Sequence, residues 1–156
     1  MELSFLKIGT LVPMASIERH KEQIKEHIQE INDAVAIGLE KGPATLALHA
    51  SACSISMIEA YLHVLGKISV GTMIKHEWFK PPKEGQKIAP LAERKIGVDF
   101  PHKEEILSLM YTLEEHRNKL IYGKPTQSAT DAVFNSFQKL HQLIKDQLKE
   151  MGEEIE

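Results

Sequence analysis

The chain has 156 residues and a formal net charge of −3, with 42% hydrophobic and 26% charged residues. This length and balance predict one globular domain, 1–156, around a single core. The weak negative charge argues against a general coat for nucleic acid or for an acidic membrane surface. No apolar run approaches the roughly 18 residues of a membrane span, and the single cysteine, Cys53, excludes an intrachain disulfide. We therefore expect a cytoplasmic protein with no membrane partner.

Two helices are predicted in the first half of the chain. The first runs from about Ser16, a good N-cap residue, to Lys41 (16–41) and carries a narrow apolar stripe at helical spacing. Gly42-Pro43 is expected to end it. The second helix, 44–66, is apolar nearly all round, which is typical of the most buried member of a helix bundle.

Two more helices are predicted in the second half. The third, 101–122, starts near Pro101, a residue that suits the first turn of a helix. The fourth, 126–151, carries valine, phenylalanine, leucine and isoleucine along one face. The acidic tail 152–156 is expected to fray.

Between the second and third helices lies a long irregular connection, 67–100, rich in proline and glycine, with a short helical turn expected around Ala89 to Lys95. Connections this long in a compact domain usually have a function or are mobile. The short links after the first and third helices predict antiparallel neighbours. The predicted fold class is therefore all-α, an antiparallel up-and-down four-helix bundle with a long connection between helices 2 and 3.

Two charged side chains fall where the pattern predicts burial. Arg117 lies on the apolar stripe of the third helix, and Glu59 lies within the most apolar helix. Ser56, Glu59 and His63 have spacings of three and four, which place them on one helical strip. Because a buried unpaired charge costs several kcal/mol, we expect Glu59 and Arg117 to approach each other, directly or through water. The pair is either a structural ion pair or part of a polar site in which the arginine binds an anion such as phosphate.

Residues 116–123, with the sequence HRNKLIYG, close the third predicted helix and resemble the signature of the HEPN superfamily. That signature is an arginine, often followed by asparagine, with a histidine near the end of the helix. Arg117 and Asn118 match it, whereas Tyr122 stands at the position of the histidine. The single acid of the second helix, Glu59, also fits the arrangement usual in that family.

The resemblance implies a symmetric homodimer in which two copies of the motif face each other across a cleft. Active members of the family cleave RNA without a metal, other members are binding or scaffold modules, and some pair with a nucleotidyltransferase as toxin and antitoxin. A phenol has a reference pKa of about 10 and is a poor general base near neutral pH. Tyr122 therefore favours binding over catalysis in this chain.

Two further patterns were weighed. Trp78-Phe79 lies in a segment, 67–103, with eight Lys or Arg against four acids. These aromatics either stack on a single-stranded nucleic acid or attach the connection to the bundle. His20 and His27 share a helix face, but no third ligand is evident, so no metal site and no cofactor are predicted.

Three functional hypotheses follow. The first is a dimeric HEPN-like module with a degenerate site that contacts RNA, a nucleotide or a partner protein. The second is an active metal-independent endoribonuclease with Arg117, Asn118 and Tyr122 as its catalytic residues. The third is a helix bundle with a purely structural or interaction role, in which Glu59 and Arg117 only fix the core.

Overall fold

The computed structural model describes the backbone of residues 2–69 and 71–156 and the side chains of residues 17–69 and 71–156. Within those ranges the chain is helical and has no strand, so the predicted all-α class is confirmed. The α-helices are α1 (Glu2–Ile37), α2 (Pro43–Val64), α3 (Leu91–Ile96), α4 (Lys103–Tyr122) and α5 (Gln127–Glu150). Two 3-10 turns cover Leu39–Lys41 and His76–Phe79. In the part of the chain described, no helix combines the length and apolar character that crossing a bilayer requires.

Helix α2 lies at the centre of the packing. It contacts α1, α4 and α5, while α4 also packs against α5. Small side chains such as Ala47, Ala50 and Cys53 allow close approach of the neighbouring helices, and Leu46, Met57 and Leu62 fill the space between them. The nearly continuous apolar sequence of α2 is thus explained by neighbours on several of its faces.

The start of α1 differs from its prediction. The helix extends N-terminally through Ser16 to Glu2, and the side chain of Ser16 lies outside the described residues. Serine in a helix interior costs only a few tenths of a kcal/mol relative to good helix formers, so it is a weak boundary signal. At the other end the helix stops at Ile37 instead of Lys41, because Gly38 has a φ of 116° that breaks the helical backbone.

The remaining long helices agree with their predictions within about two residues. Pro43 is the first residue of α2, a position that needs no amide donor. Pro101 is not helical; α4 begins at Lys103 because His102 adopts a left-handed conformation, with φ 64°. The N-cap of α5 is Thr126, whose hydroxyl accepts a hydrogen bond of 3.1 Å from the Ala129 amide.

The connection between α2 and α4 packs onto the helices. It contains the predicted short helix as α3, and the 3-10 turn His76–Phe79, which was not predicted. This turn contacts α3, α4 and α2. Phe79 is fully buried and Trp78 is half-buried against the core. Their placement favours attachment of the connection to the bundle over the exposed stacking platform considered above.

The C-terminal tail is ordered against the helices, so the expectation that it frays was wrong. Ile155 is buried, and Glu153 forms an ion pair of 2.7 Å with Lys21 of α1. The last carbonyl, that of Glu156, contacts the ring of His141 on α5. Burial of the penultimate residue, Ile155, holds in place a tail whose charged composition predicted fraying.

Cys53 provides a test of the packing of α2. Its side chain is fully enclosed, and burial raises the pKa of the thiol to about 12. Because the thiolate is the reactive form, we expect negligible alkylation of the native protein at pH 8 and complete alkylation in denaturant. Mass spectrometry after timed iodoacetamide treatment measures this. Fast labelling under native conditions would contradict the packing around α2.

Candidate functional site

Arg117 is buried on α4, as its position on the apolar stripe predicts. Its side chain follows Met110 and Leu113 along the face that meets α2 and α5, and the residue is 7% exposed. The guanidinium Nη1 donates a hydrogen bond of 3.1 Å to Oδ1 of the neighbouring Asn118. The Nε–H is buried and meets no acceptor among the described residues. An arginine with this burial and without a counter-ion is costly unless a ligand pairs with it.

Arg117 lines a cavity of about 470 Å³ between α1, α2, α4 and residues 73–77, which lead into the 3-10 turn. Its polar side chains include Ser51, Ser56, Glu59 and His76. Its apolar side chains include Leu48, Ile55 and Met73, of which Leu48 and Met73 are largely exposed. The cavity therefore combines a charged interior with an apolar, solvent-facing margin.

Glu59 shares this cavity with Arg117 but is held by another group. Its Oε2 accepts a hydrogen bond of 2.9 Å from the Ile74 amide. Burial raises the pKa of the Glu59 carboxyl, and the bond from Ile74 partly offsets that rise. No ion pair within 4.0 Å joins Glu59 to Arg117. Glu59 and Arg117 therefore line the same cavity without forming a direct ion pair.

A second, smaller cavity of about 180 Å³ is lined by Glu59 together with His20 and His63. The two imidazole rings stack with centroids 5.4 Å apart, and His20 Nδ1 lies 3.9 Å from Glu59 Oε1. His20 Nδ1 and His63 Nε2 are buried without a partner in the described part of the chain. The predicted strip of Ser56, Glu59 and His63 is thus divided between two cavities that share Glu59.

Four half-buried histidines predict a pH dependence of stability. Burial lowers the pKa of His20, His27, His63 and His141 from the ordinary 6.5. The unfolded chain then binds more protons as the pH falls through 6.5, so the free energy of unfolding decreases on acidification. The raised pKa of Glu59 has the opposite effect on the free energy of unfolding, but it is a single group opposed by four histidines. We expect a lower urea midpoint at pH 5.5 than at pH 7.5, and a weaker dependence in His63→Gln. A midpoint that rises on acidification would contradict this.

One buried acid of the site region was missed by the sequence reasoning. Glu114 is 3% exposed, and both of its carboxylate oxygens lie within 3.2 Å of His76 Nδ1. The burial of Glu114 could have been predicted, because Glu114 stands three residues before Arg117 on the same stripe. His76 could not be assigned in the same way, because it reaches the site from the connection.

The other candidate residues lie away from the cavity interior. Tyr122 is 79% exposed and does not line the cavity. Asn118 is exposed and touches the site only through its bond to Arg117. Trp78 is absent from the cavity lining and packs against the core. Of the residues predicted from the sequence, the structure brings together Arg117, Glu59 and Ser56.

Fold and site together define an all-helical protein with a cavity built around a buried arginine. No protein-family model matches the chain, and searches of curated proteins and of solved structures found no match. The geometry of the site and the resemblance of residues 116–123 are therefore the two indications of function.

Proposed function

We propose that this protein is a HEPN-like binding module that holds a phosphate-bearing ligand, a nucleotide or a nucleotide unit of RNA, through Arg117. The observation that carries the proposal is the buried guanidinium on the cavity, whose Nε–H has no acceptor among the described residues. A guanidinium presents a planar set of donors that matches phosphate oxygens. An anion in the cavity would remove the penalty of an unpaired buried charge.

The composition of the cavity favours a nucleotide over a bare phosphate. Its volume of about 470 Å³ falls within the range of roughly 300–1,000 Å³ of small-molecule sites. A phosphate alone would occupy only the part of the cavity next to Arg117. Leu48 and Met73 offer an exposed apolar surface for a base, and the hydroxyls of Ser51 and Ser56 are within the same lining.

The two alternative hypotheses have less support. An endoribonuclease needs an acid–base group beside Arg117, whereas Tyr122 is on the protein surface and outside the lining of this cavity. A purely structural role for Arg117 needs an ionic partner. Glu59 accepts a hydrogen bond from Ile74 instead, and Glu114 contacts His76.

The proposal includes two features predicted from the sequence pattern, an antiparallel arrangement of the four long helices and a cytoplasmic location. It also includes two that the resemblance implies, a homodimer that brings two copies of the motif together and a nucleotidyltransferase as partner. Sedimentation equilibrium tests the dimer directly. A strict monomer at micromolar concentration would remove the composite cleft but would leave the Arg117 cavity of each chain intact.

A thermal-shift comparison of AMP, a short oligoribonucleotide and adenosine tests the proposal. A ligand that binds only the native state raises the melting temperature. We expect AMP or the oligonucleotide to raise it and adenosine at the same concentration to have much less effect, because adenosine lacks the phosphate. Equal shifts with adenosine, or no shift with any of the three, would contradict phosphate recognition. Cleavage of a labelled RNA that is lost in Tyr122→Phe would instead favour the endoribonuclease.

A further inference from the structure

Glu114 and Arg117 occupy the same buried stripe of α4. They stand three residues apart, so their side chains are neighbours on the helix surface, and they are 3% and 7% exposed. An ion pair between them would offset part of the cost of burying two opposite charges. No ion pair within 4.0 Å joins these two residues in the structure.

The carboxylate of Glu114 is bound by His76 from the connection. His76 Nδ1 lies 3.0 Å from Oε1 and 3.2 Å from Oε2 of Glu114. Because a carboxylate can only accept hydrogen bonds, the ring donates its Nδ1–H to these oxygens. Arg117 donates to the side chain of Asn118, and both Arg117 and His76 line the larger cavity. The carboxylate and the guanidinium thus have different partners, although they share one helix face.

We propose that His76 is a positioning residue of the Arg117 site: it holds the Glu114 carboxylate away from the guanidinium and so keeps the guanidinium available for a phosphate. The inference rests on the proposed function, in which Arg117 binds the phosphate of a nucleotide. A carboxylate matches the guanidinium fork as a phosphate does, so Glu114 is an internal competitor of the ligand. Molecules in which the two residues pair cannot bind, and the apparent dissociation constant rises accordingly.

The wall of the cavity has supports other than the contact between His76 and Glu114. Phe79, in the same 3-10 turn as His76, is fully buried, and the turn packs against α2, α3 and α4. The Ile74 amide is bonded to Glu59 of α2. We therefore expect this segment to stay in place when the contact between His76 and Glu114 is removed. The effect of that contact on ligand binding can then be separated from its effect on the fold.

Calorimetric titration with AMP of His76→Phe, Glu114→Met and the double variant tests the proposal. Phenylalanine keeps a planar ring but cannot donate, so His76→Phe should bind AMP at least about tenfold more weakly, as expected when roughly one molecule in ten remains competent. Glu114→Met and the double variant lack the competing carboxylate and should stay within about threefold of the wild type. Equal losses in the two single variants, without recovery in the double variant, would show a bracing role only and would overturn the proposal.

Two further variants serve as controls. His76→Asn carries an amide donor near the position of Nδ1, so it should still bind Glu114 and keep the affinity for AMP. Glu115 is the exposed neighbour of Glu114 on α4, and Glu115→Met removes the same formal charge. Added to His76→Phe, it should not restore AMP binding. Restoration by Glu115→Met would mean that net charge sets the affinity, and this would also overturn the proposal.

Urea unfolding of the unliganded protein tests the same relation without AMP. Arg117→Met should not lower the urea midpoint of the wild type, but it should lower that of His76→Phe, where it would remove the new partner of Glu114. The same effect of Arg117→Met in both backgrounds would overturn the proposal. A wild-type protein that fails to bind AMP, with the effect of Arg117→Met confined to His76→Phe, would contradict the nucleotide function alone and support the role of His76.

Discussion

Replacing Arg117 with methionine is expected to lower the affinity for AMP by about 30-fold or more. Truncating one member of a buried charged hydrogen-bonded pair costs about 2–5 kcal/mol, which corresponds to roughly 30-fold to a few thousand-fold in the dissociation constant. Methionine preserves much of the length and apolar packing of the arginine but removes every donor. Isothermal titration calorimetry of the variant beside the wild type measures the loss.

The same substitution should leave the unliganded protein as stable as the wild type within about 1 kcal/mol, or more stable. The one hydrogen bond lost is that to Asn118, worth about 1 kcal/mol, and relief of an unpaired buried charge offsets it. If Arg117 were instead half of a structural ion pair, its removal would cost about 3–5 kcal/mol. Urea unfolding followed by circular dichroism distinguishes the two.

Lys119→Met is the matched control for this experiment. Lys119 is an exposed cation on the same helix, two residues from Arg117, so its replacement removes the same formal charge without touching the cavity. Both AMP affinity and stability should change little in this variant. If the two substitutions weakened AMP binding equally, the arginine would act through net charge and not through a built site.

Replacing Phe79 with alanine is expected to destabilise the protein by about 3–5 kcal/mol. Phe79 is fully buried, and truncation of a buried phenylalanine loses apolar burial and leaves a cavity. It also anchors the segment whose Ile74 amide holds Glu59 and whose His76 contacts Glu114. We therefore expect weaker AMP binding as well, because one wall of the cavity loses its support.

Two neighbours of Phe79 provide controls. Lys80 is exposed, so Lys80→Ala should change the free energy of unfolding by less than about 0.5 kcal/mol. Trp78 is half-buried, so Trp78→Ala should have a smaller effect than Phe79→Ala. A Phe79→Ala protein within about 1 kcal/mol of the wild type would contradict the docking of the connection onto the helices.

Local periodicity was sufficient to predict the long helices and the burial of Arg117. The stripe through Met110, Leu113 and Leu120 fixes which face of α4 turns inward, and Arg117 has no alternative on that face. The predicted start of α1 was wrong because Ser16 is a weak boundary signal. The 3-10 turn at His76 was missed because proline and glycine mark an irregular segment without showing where it packs.

The composition of the site was only partly accessible to sequence reasoning. Ser56 and Glu59 were predicted because they share one face of α2. The partners of Glu59 and Glu114, by contrast, come from the connection, 15 and 38 residues away along the chain. No periodic pattern encodes such a contact. For the same reason His27 was compared with His20 on its own helix, whereas its nearest imidazole partner, His49, belongs to α2.

A crystal structure of the protein grown with AMP tests the central claim most directly. We expect the phosphate to lie in the cavity, with an oxygen about 3 Å from a nitrogen of the Arg117 guanidinium and the base near Leu48 and Met73. A phosphate bound only to surface lysines, with the Arg117 guanidinium paired to a protein carboxylate, would contradict it.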